Sequence, residues 1–223
     1  MSHTVHPYSH RLGIIRDWKS RWFGLKKKYT EFLRGDILIR SFLERKLRGF
    51  FVSSIDIERG EKTLRVIIET SRPGMIIGRA GDGAVKLRED LLSMMRKRGI
   101  WNLKTEVKLD IREVKSPESN AAIVAAMIAE GLEKRLPYRR VLKQMVEKVM
   151  ANRDVGGVKI TIAGRLGGAS IARSETRKLG RIPLQTFRAN VDFARERAKL
   201  PYGDLGIKVW VYKGEVFSKK QGL

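Results

Sequence analysis

Ten consecutive residues, Arg72-Pro73-Gly74-Met75-Ile76-Ile77-Gly78-Arg79-Ala80-Gly81, carry the chemistry most directly readable in this chain. A Gly-x-x-Gly turn has no Cβ at Gly78 or Gly81, so its backbone can pass close to a sugar-phosphate strand and aim N–H groups at it. Arg79, beside Ala80, adds one cation between the glycines, and Arg72 and Lys86 flank the turn. The helix that follows turns its positive dipole end toward the same phosphates. The chemistry is capture of a polyanion, not bond making. Taken alone, four residues of this pattern describe a turn between two helices equally well, so the surroundings decide.

Those surroundings are cationic. Lys and Arg total 47 against 24 acidic residues, a formal charge of +23, with a pI near 10.6. Such a surplus is costly in self-repulsion unless a polyanion neutralises it, and nucleic acid is the usual one. An apolar content of 42% is that of a folded globular protein, and 223 residues suffice for two domains. Residues 1–48 carry 12 basic and 4 acidic side chains, residues 49–117 carry 14 and 10, and the remainder 21 and 10. The charge therefore concentrates at the start of the chain and in its second half.

The elements that must position the turn follow from periodicity. Apolar residues at helical spacing predict a helix from Tyr29 to Arg48, stopped by Gly49. Phe51–Glu58 and Leu64–Thr70 read as strands joined by a turn at Arg59-Gly60-Glu61-Lys62. Pro73 suits a first helical position, and Val85, Leu87, Leu91, Leu92, Met94 and Met95 give the helix after the turn one apolar face. Glu106–Val114 is a further strand. Ser116-Pro117-Glu118 marks a linker and new helix start. Beyond it, Glu118–Leu136 and Tyr138–Arg153 read as helices, and Val158–Ala163, Ala169–Ser174, Asn190–Arg197 and Ile207–Tyr212 as strands. The expected organisation is an extended basic arm (1–28), an α-β-β-α-α-β unit (29–116), an α+β unit of two helices on a four-stranded, mostly antiparallel sheet (117–216), and a short polar tail (217–223).

Further cations cluster. Arg139, Arg140 and Lys143 share an outward patch at the start of a helix whose inner side is Val141, Leu142, Met145, Val146 and Val149; Glu147 could pair with Lys143. Arg165, Arg173, Arg177, Lys178 and Arg181 lie among Gly164, Gly167, Gly168 and Gly180, which would let a hairpin twist tightly or approach a phosphate. His6, Arg11, Arg16, Lys19, Arg21 and Trp22 mark the arm as a candidate RNA contact. Each of these side chains also fits a solvated surface, and it is their sum that favours RNA.

Other classes are disfavoured. The chain has no cysteine, hence no disulfide or thiolate metal site. His3, His6 and His10 have no carboxylate beside them, so no metal or other cofactor is expected. Gly78–Gly83 matches neither nucleotide-loop spacing, and no nucleophile–base set or paired carboxylates stand out. No apolar run approaches a membrane span, and the first residues lack a secretory pattern. A free RNA chaperone or an RNA-processing enzyme of the same fold is the alternative reading.

The order helix, strand, strand, helix, Gly-x-x-Gly, helix, strand, with Val66-Ile67-Ile68-Glu69 and Gly74-Met75-Ile76-Ile77-Gly78, resembles the type II KH domain. Longer strings are similar to one family throughout: Val5-His6-Pro7 with Arg11-Leu12-Gly13, Gly164-Arg165-Leu166-Gly167-Gly168-Ala169, Gly180-Arg181-Ile182-Pro183-Leu184, and Gly206-Ile207-Lys208-Val209-Trp210-Val211-Tyr212-Lys213-Gly214-Glu215 resemble bacterial ribosomal protein S three. That resemblance implies a cytoplasmic, non-enzymatic protein of the small ribosomal subunit's head, bound to small-subunit ribosomal RNA and lining the messenger-RNA entry channel. It implies as neighbours S ten and S fourteen in the head and S four and S five at the channel. It gives Arg139, Arg140 and Lys143 a part in opening structured messenger. Many members carry one or two basic residues between the loop glycines; here the pair is Arg79-Ala80, which leaves one side-chain cation. The short tail suggests no added C-terminal module.

Overall fold

The computed structural model describes residues 5–100 and 106–217. They form two units, one from Trp18 to Lys115 and one joining the described residues up to Asp17 with those from Ser116 onward. The expected arm is therefore not one piece. Its first part packs with the C-terminal half of the chain, and Ser20–Arg21 (β1) enters the sheet of the other unit, pairing in parallel with Ile57 and Glu58.

In the unit beginning at Trp18, α1 (Lys27–Lys46) precedes the hairpin β2 (Val52–Arg59) and β3 (Thr63–Thr70). Then come α2 (Pro73–Ile77), α3 (Asp82–Lys97) and β4 (Glu106–Glu113). The sheet order is β1-β2-β3-β4, with β2/β3 antiparallel and β3/β4 parallel. Strand alternation sends Ile55, Ile57, Leu64, Val66, Ile68 and Val107 to one face, where Ile39 and Leu43 of α1 and Leu87, Leu91 and Met95 of α3 cover them. This is the expected KH order, with α1 starting and ending two residues earlier than its apolar pattern indicates.

Asp36 is fully buried on α1, yet its carboxylate is saturated. It accepts from Ser20 Oγ at 2.8 Å, Trp22 Nε1 at 2.7 Å, Arg59 Nε at 2.8 Å and Arg59 Nη2 at 2.6 Å. A buried charge persists only when paired and hydrogen-bonded in this way. On β2, Asp56 has a buried Oδ1 without a partner, and burial, with Glu69 nearby, raises its pKa above 3.8 against the pull of Lys19, Arg21 and Arg40.

The other unit packs α4 (Ala121–Glu133) and α5 (Tyr138–Met150) on a sheet of β5 (Gly157–Gly164), β6 (Arg173–Gly180), β7 (Ala189–Leu200) and β8 (Gly203–Glu215). The order is β6-β5-β8-β7, and every neighbouring pair is antiparallel. Val158, Ile160, Ile162, Ile207, Val209 and Val211 face Val124, Ile128, Leu142 and Val149 in the core. Two expectations need correction. The second strand of this unit runs over Arg173–Gly180 and not Ala169–Ser174, because this edge strand has few apolar residues to reveal it. The helix after the linker starts at Ala121: Asn120 Oδ1 accepts from the N–H of Ala122 at 3.0 Å and of Ile123 at 3.4 Å. Asp192 on β7 accepts from the Ala121 N–H at 3.0 Å, fixing the same helix end to the sheet.

Candidate nucleic-acid interface

The glycine loop takes its shape from backbone crowding. Gly78 has φ +72° and Gly81 φ +89°, both in the region that favours glycine, and Ala80 is held at φ +50°. A Cβ on Gly83 would lie 2.5 Å from the Ile76 carbonyl oxygen, so it is Gly83 that lets α3 start against the end of α2. The Gly-x-Gly run from Gly81 to Gly83 was the available signal for it. Gly78, Arg79, Ala80 and Lys86 are exposed, and Gly81, the N-cap of α3, provides no side-chain cap. Arg79 and Lys86 form no ion pair among the described residues. Arg72 lies over the Phe51 ring at 4.5 Å, an aromatic support for its charge.

On α5, Arg139, Arg140 and Lys143 are all exposed on the side opposite buried Val141, Leu142, Val146 and Val149. Arg139 Nε donates to the Tyr138 hydroxyl at 3.1 Å and lies 3.9 Å from Glu175. Arg177 lies 3.8 Å from the same carboxylate, so Glu175 on β6 joins Arg177 to the α5 patch. Lys143 has no ion pair with Glu147.

The cluster read as one group, Arg165, Arg173, Arg177, Lys178 and Arg181, is divided. Arg173 and Arg177 alternate with Lys178 along β6, so Lys178 points from the opposite face of the sheet. Arg165 is committed to structure: its Nε donates to the Ala169 carbonyl at 2.9 Å and its Nη1 to the Tyr202 carbonyl at 3.2 Å. Arg181 is exposed beside Gly180, which turns the strand at φ +76°.

The arm residues depart furthest from expectation. Arg11 is fully buried. Its Nε donates to the Ala189 carbonyl at 2.6 Å, Nη1 to Pro7 at 3.0 Å, and Nη2 to Pro183, Leu184 and Thr186 at 3.3, 3.0 and 3.0 Å. Five carbonyl dipoles take the place of a counterion, and burial, helped by nearby Arg16, holds the guanidinium pKa below its ordinary value. Arg16 donates to Asn190 Oδ1 at 3.0 Å and faces Asp192 at 3.7 Å. The His6 ring meets Phe193 edge-on at 4.7 Å. Trp22 is held by Asp36 and packs beside Tyr29 and Phe32. Arg21 pairs with Glu58 at 3.1 Å, and the Lys19 carbonyl accepts from the Ile57 N–H at 2.9 Å. Arg11 is thus an internal fastening with no surface open to RNA, and half-buried Trp22 is fastened through its indole N–H.

No helix among the described residues is long and apolar enough to cross a membrane, and none of their His, Asp or Glu side chains group to hold a metal ion. The described surface carries exposed cations at the glycine loop and along α5.

Comparison with known proteins agrees with this geometry. Residues 38–119 match the KH domain, and residues 128–211 match the ribosomal protein S3, C-terminal domain. The chain is similar to the small ribosomal subunit protein uS3 of Caldicellulosiruptor saccharolyticus, 45% identical over 220 residues, which covers 99% of this chain and 96% of that one. The uS3 of Endomicrobium trichonymphae is 46% identical (98% and 90% covered), and that of Coxiella burnetii strain RSA 493 is 42% identical (99% and 93%). With both units matched and the similarity running from end to end, this chain belongs to the uS3 family of small ribosomal subunit proteins.

Proposed function

We propose that this protein lines the messenger-RNA entry channel of the small ribosomal subunit, where the α5 patch holds messenger strands as they separate. As a uS3 family member it is a structural, RNA-binding constituent of that subunit and not an enzyme. The glycine loop with Arg79, Arg72 and Lys86 is assigned to ribosomal RNA phosphates, with shape and register mattering more than base identity. Its neighbours are S ten and S fourteen in the head and S four and S five at the channel, in the cytoplasm.

The observation that carries the channel reading is the patch itself. Arg139, Arg140 and Lys143 are exposed on a helix whose other side is locked into the core, and Glu175 links Arg177 of β6 to Arg139. Fixed cations there would hold phosphates of separated strands, while translocation supplies the work and no nucleotide site is needed. Arg139→Ala with Arg140→Ala slows translation of messengers that carry a hairpin at the entrance and leaves unstructured messengers unchanged. Equal slowing of both would exclude the role.

A further inference from the structure

Each sheet turns one face away from its helices, and the two open faces differ in charge. In the first sheet the outward residues of β1–β4 include Arg21, Arg65, Lys108 and Arg112, against Asp56, Glu58, Glu69, Glu106 and Asp110. They neutralise one another: Arg65 lies 2.9 Å from Asp110, Arg21 3.1 Å from Glu58 and Lys108 3.6 Å from Glu106. In the second sheet the registers place Lys178, Lys159, Trp210 and Phe193 in one lateral row, and Thr176, Thr161, Lys208 and Arg195 in the next. Ser174, Ala163, Gly206 and Arg197 form a third row. Among the described strand residues of this face the only acidic one, Asp204, sits at the hairpin end opposite Lys199.

Two of the direct cross-strand pairs are like-charged, Lys159 opposite Lys178 and Lys208 opposite Arg195. Such pairs cost folding energy unless an external anion screens them. The cations are also supported from beneath: the Lys159 ammonium lies 5.0 Å from the Trp210 ring centroid and the Arg195 guanidinium 5.4 Å from that of Phe193. Beside them the surface is low and polar, with the Thr161 and Thr176 hydroxyls 2.8 Å apart and Ser174, Ala163, Gly206 and Arg197 beyond. A protein partner would want exposed apolar anchors, whereas the aromatics here lie beneath cations and the arm's His6.

We infer that the open face of the second sheet, through Lys159, Lys178, Lys208 and Arg195, is a ribosomal RNA backbone site separate from the glycine loop and the α5 patch. It rests on the reading of the chain as a binder of small-subunit ribosomal RNA, and it takes phosphates without reading bases. Thr161 and Thr176 offer hydroxyl donors to the same strand.

The test is a salt titration of full-length protein on transcribed small-subunit ribosomal RNA. Log affinity falls against log salt by about 0.7 to 0.9 per phosphate neutralised, so the triple Lys159→Gln, Lys178→Gln, Lys208→Gln flattens the slope by about 2 to 3. The triple Arg65→Gln, Lys108→Gln, Arg112→Gln on the other open face removes the same charge and changes the slope by less than about 1. Equal flattening by both overturns the site. Wild-type protein provides a second readout, because lysine acetylation at 159, 178 and 208 is blocked by the RNA alone. Protection only in assembled subunits would assign the face to a protein neighbour instead, and full reactivity in both would also overturn it. Sedimentation of wild type with small subunits is scored separately, and its failure would refute the ribosomal reading and not this site alone.

Discussion

The Arg11 guanidinium donates to the Ala189 carbonyl at 2.6 Å across 178 residues of sequence, and four further bonds to carbonyls of Pro7, Pro183, Leu184 and Thr186 complete its shell. No carboxylate takes part in these bonds. The cation acts as a multidentate rivet that fixes an N-terminal loop and the segment before β7 in one arrangement.

Replacing it should be severe. Arg11→Met keeps apolar bulk but leaves buried carbonyls unpaired, and it is expected to lower the stability of this unit by about 3 kcal/mol or more. Chemical denaturation measures it; a loss below about 1 kcal/mol would mean that water replaces the guanidinium.

Asp36 and Arg59 form an internal charge pair, 2.6 Å apart, with the Arg59 side chain 10% exposed. Asp36→Ala strands that cation and releases Trp22, at an expected cost of about 3 to 5 kcal/mol. Adding Arg59→Met recovers a substantial part, since no unpaired charge then remains. A double-mutant cycle by urea unfolding that gives additive losses would refute the coupling.

The loop geometry separates two glycines. Gly83→Ala sets a methyl group against the Ile76 carbonyl oxygen and is expected to cost about 1 to 3 kcal/mol, with weaker RNA binding. Gly74→Ala meets nothing within 4 Å and is neutral, and thermal melts with RNA-binding assays of the two variants check both outcomes.

Asp56 supplies a pH signature. Its folded pKa is raised above 3.8, so between 3.8 and that folded value the native state binds more protons than the unfolded chain, and stability falls as pH rises through the window. Asp56→Asn removes this penalty. The variant is more stable than wild type at neutral pH, and the difference vanishes below 3.8, where the carboxyl is protonated in both states. Melting temperatures across an acid series decide it, and a pH-independent difference would count against the assignment.

The glycine loop and its helices were legible because Gly and Pro punctuate a strong helical period from Val85 to Met95. The edge strand Arg173–Gly180 was not, since its buried-face positions hold Glu175 and Arg177 and its alternation is one of charge and not of hydropathy. Arg11 and Trp22 read as surface ligands for a related reason. A cation or an indole N–H in a polar stretch gives no sign that its acceptors are buried, and for Arg11 most of them lie more than 170 residues away.

That long connection also orders events as the chain is made. The unit from Trp18 to Lys115 has all its partners once β4 has emerged, whereas the Arg11 loop must wait for Pro183 to Ala189. At about 5 to 20 residues per second, the wait lasts roughly 10 to 35 seconds. During it the KH unit can already meet nascent ribosomal RNA while the N-terminal cations are unclaimed. Closure around Arg11 then marks completion of the second half, and it turns a free cationic loop into part of a folded unit.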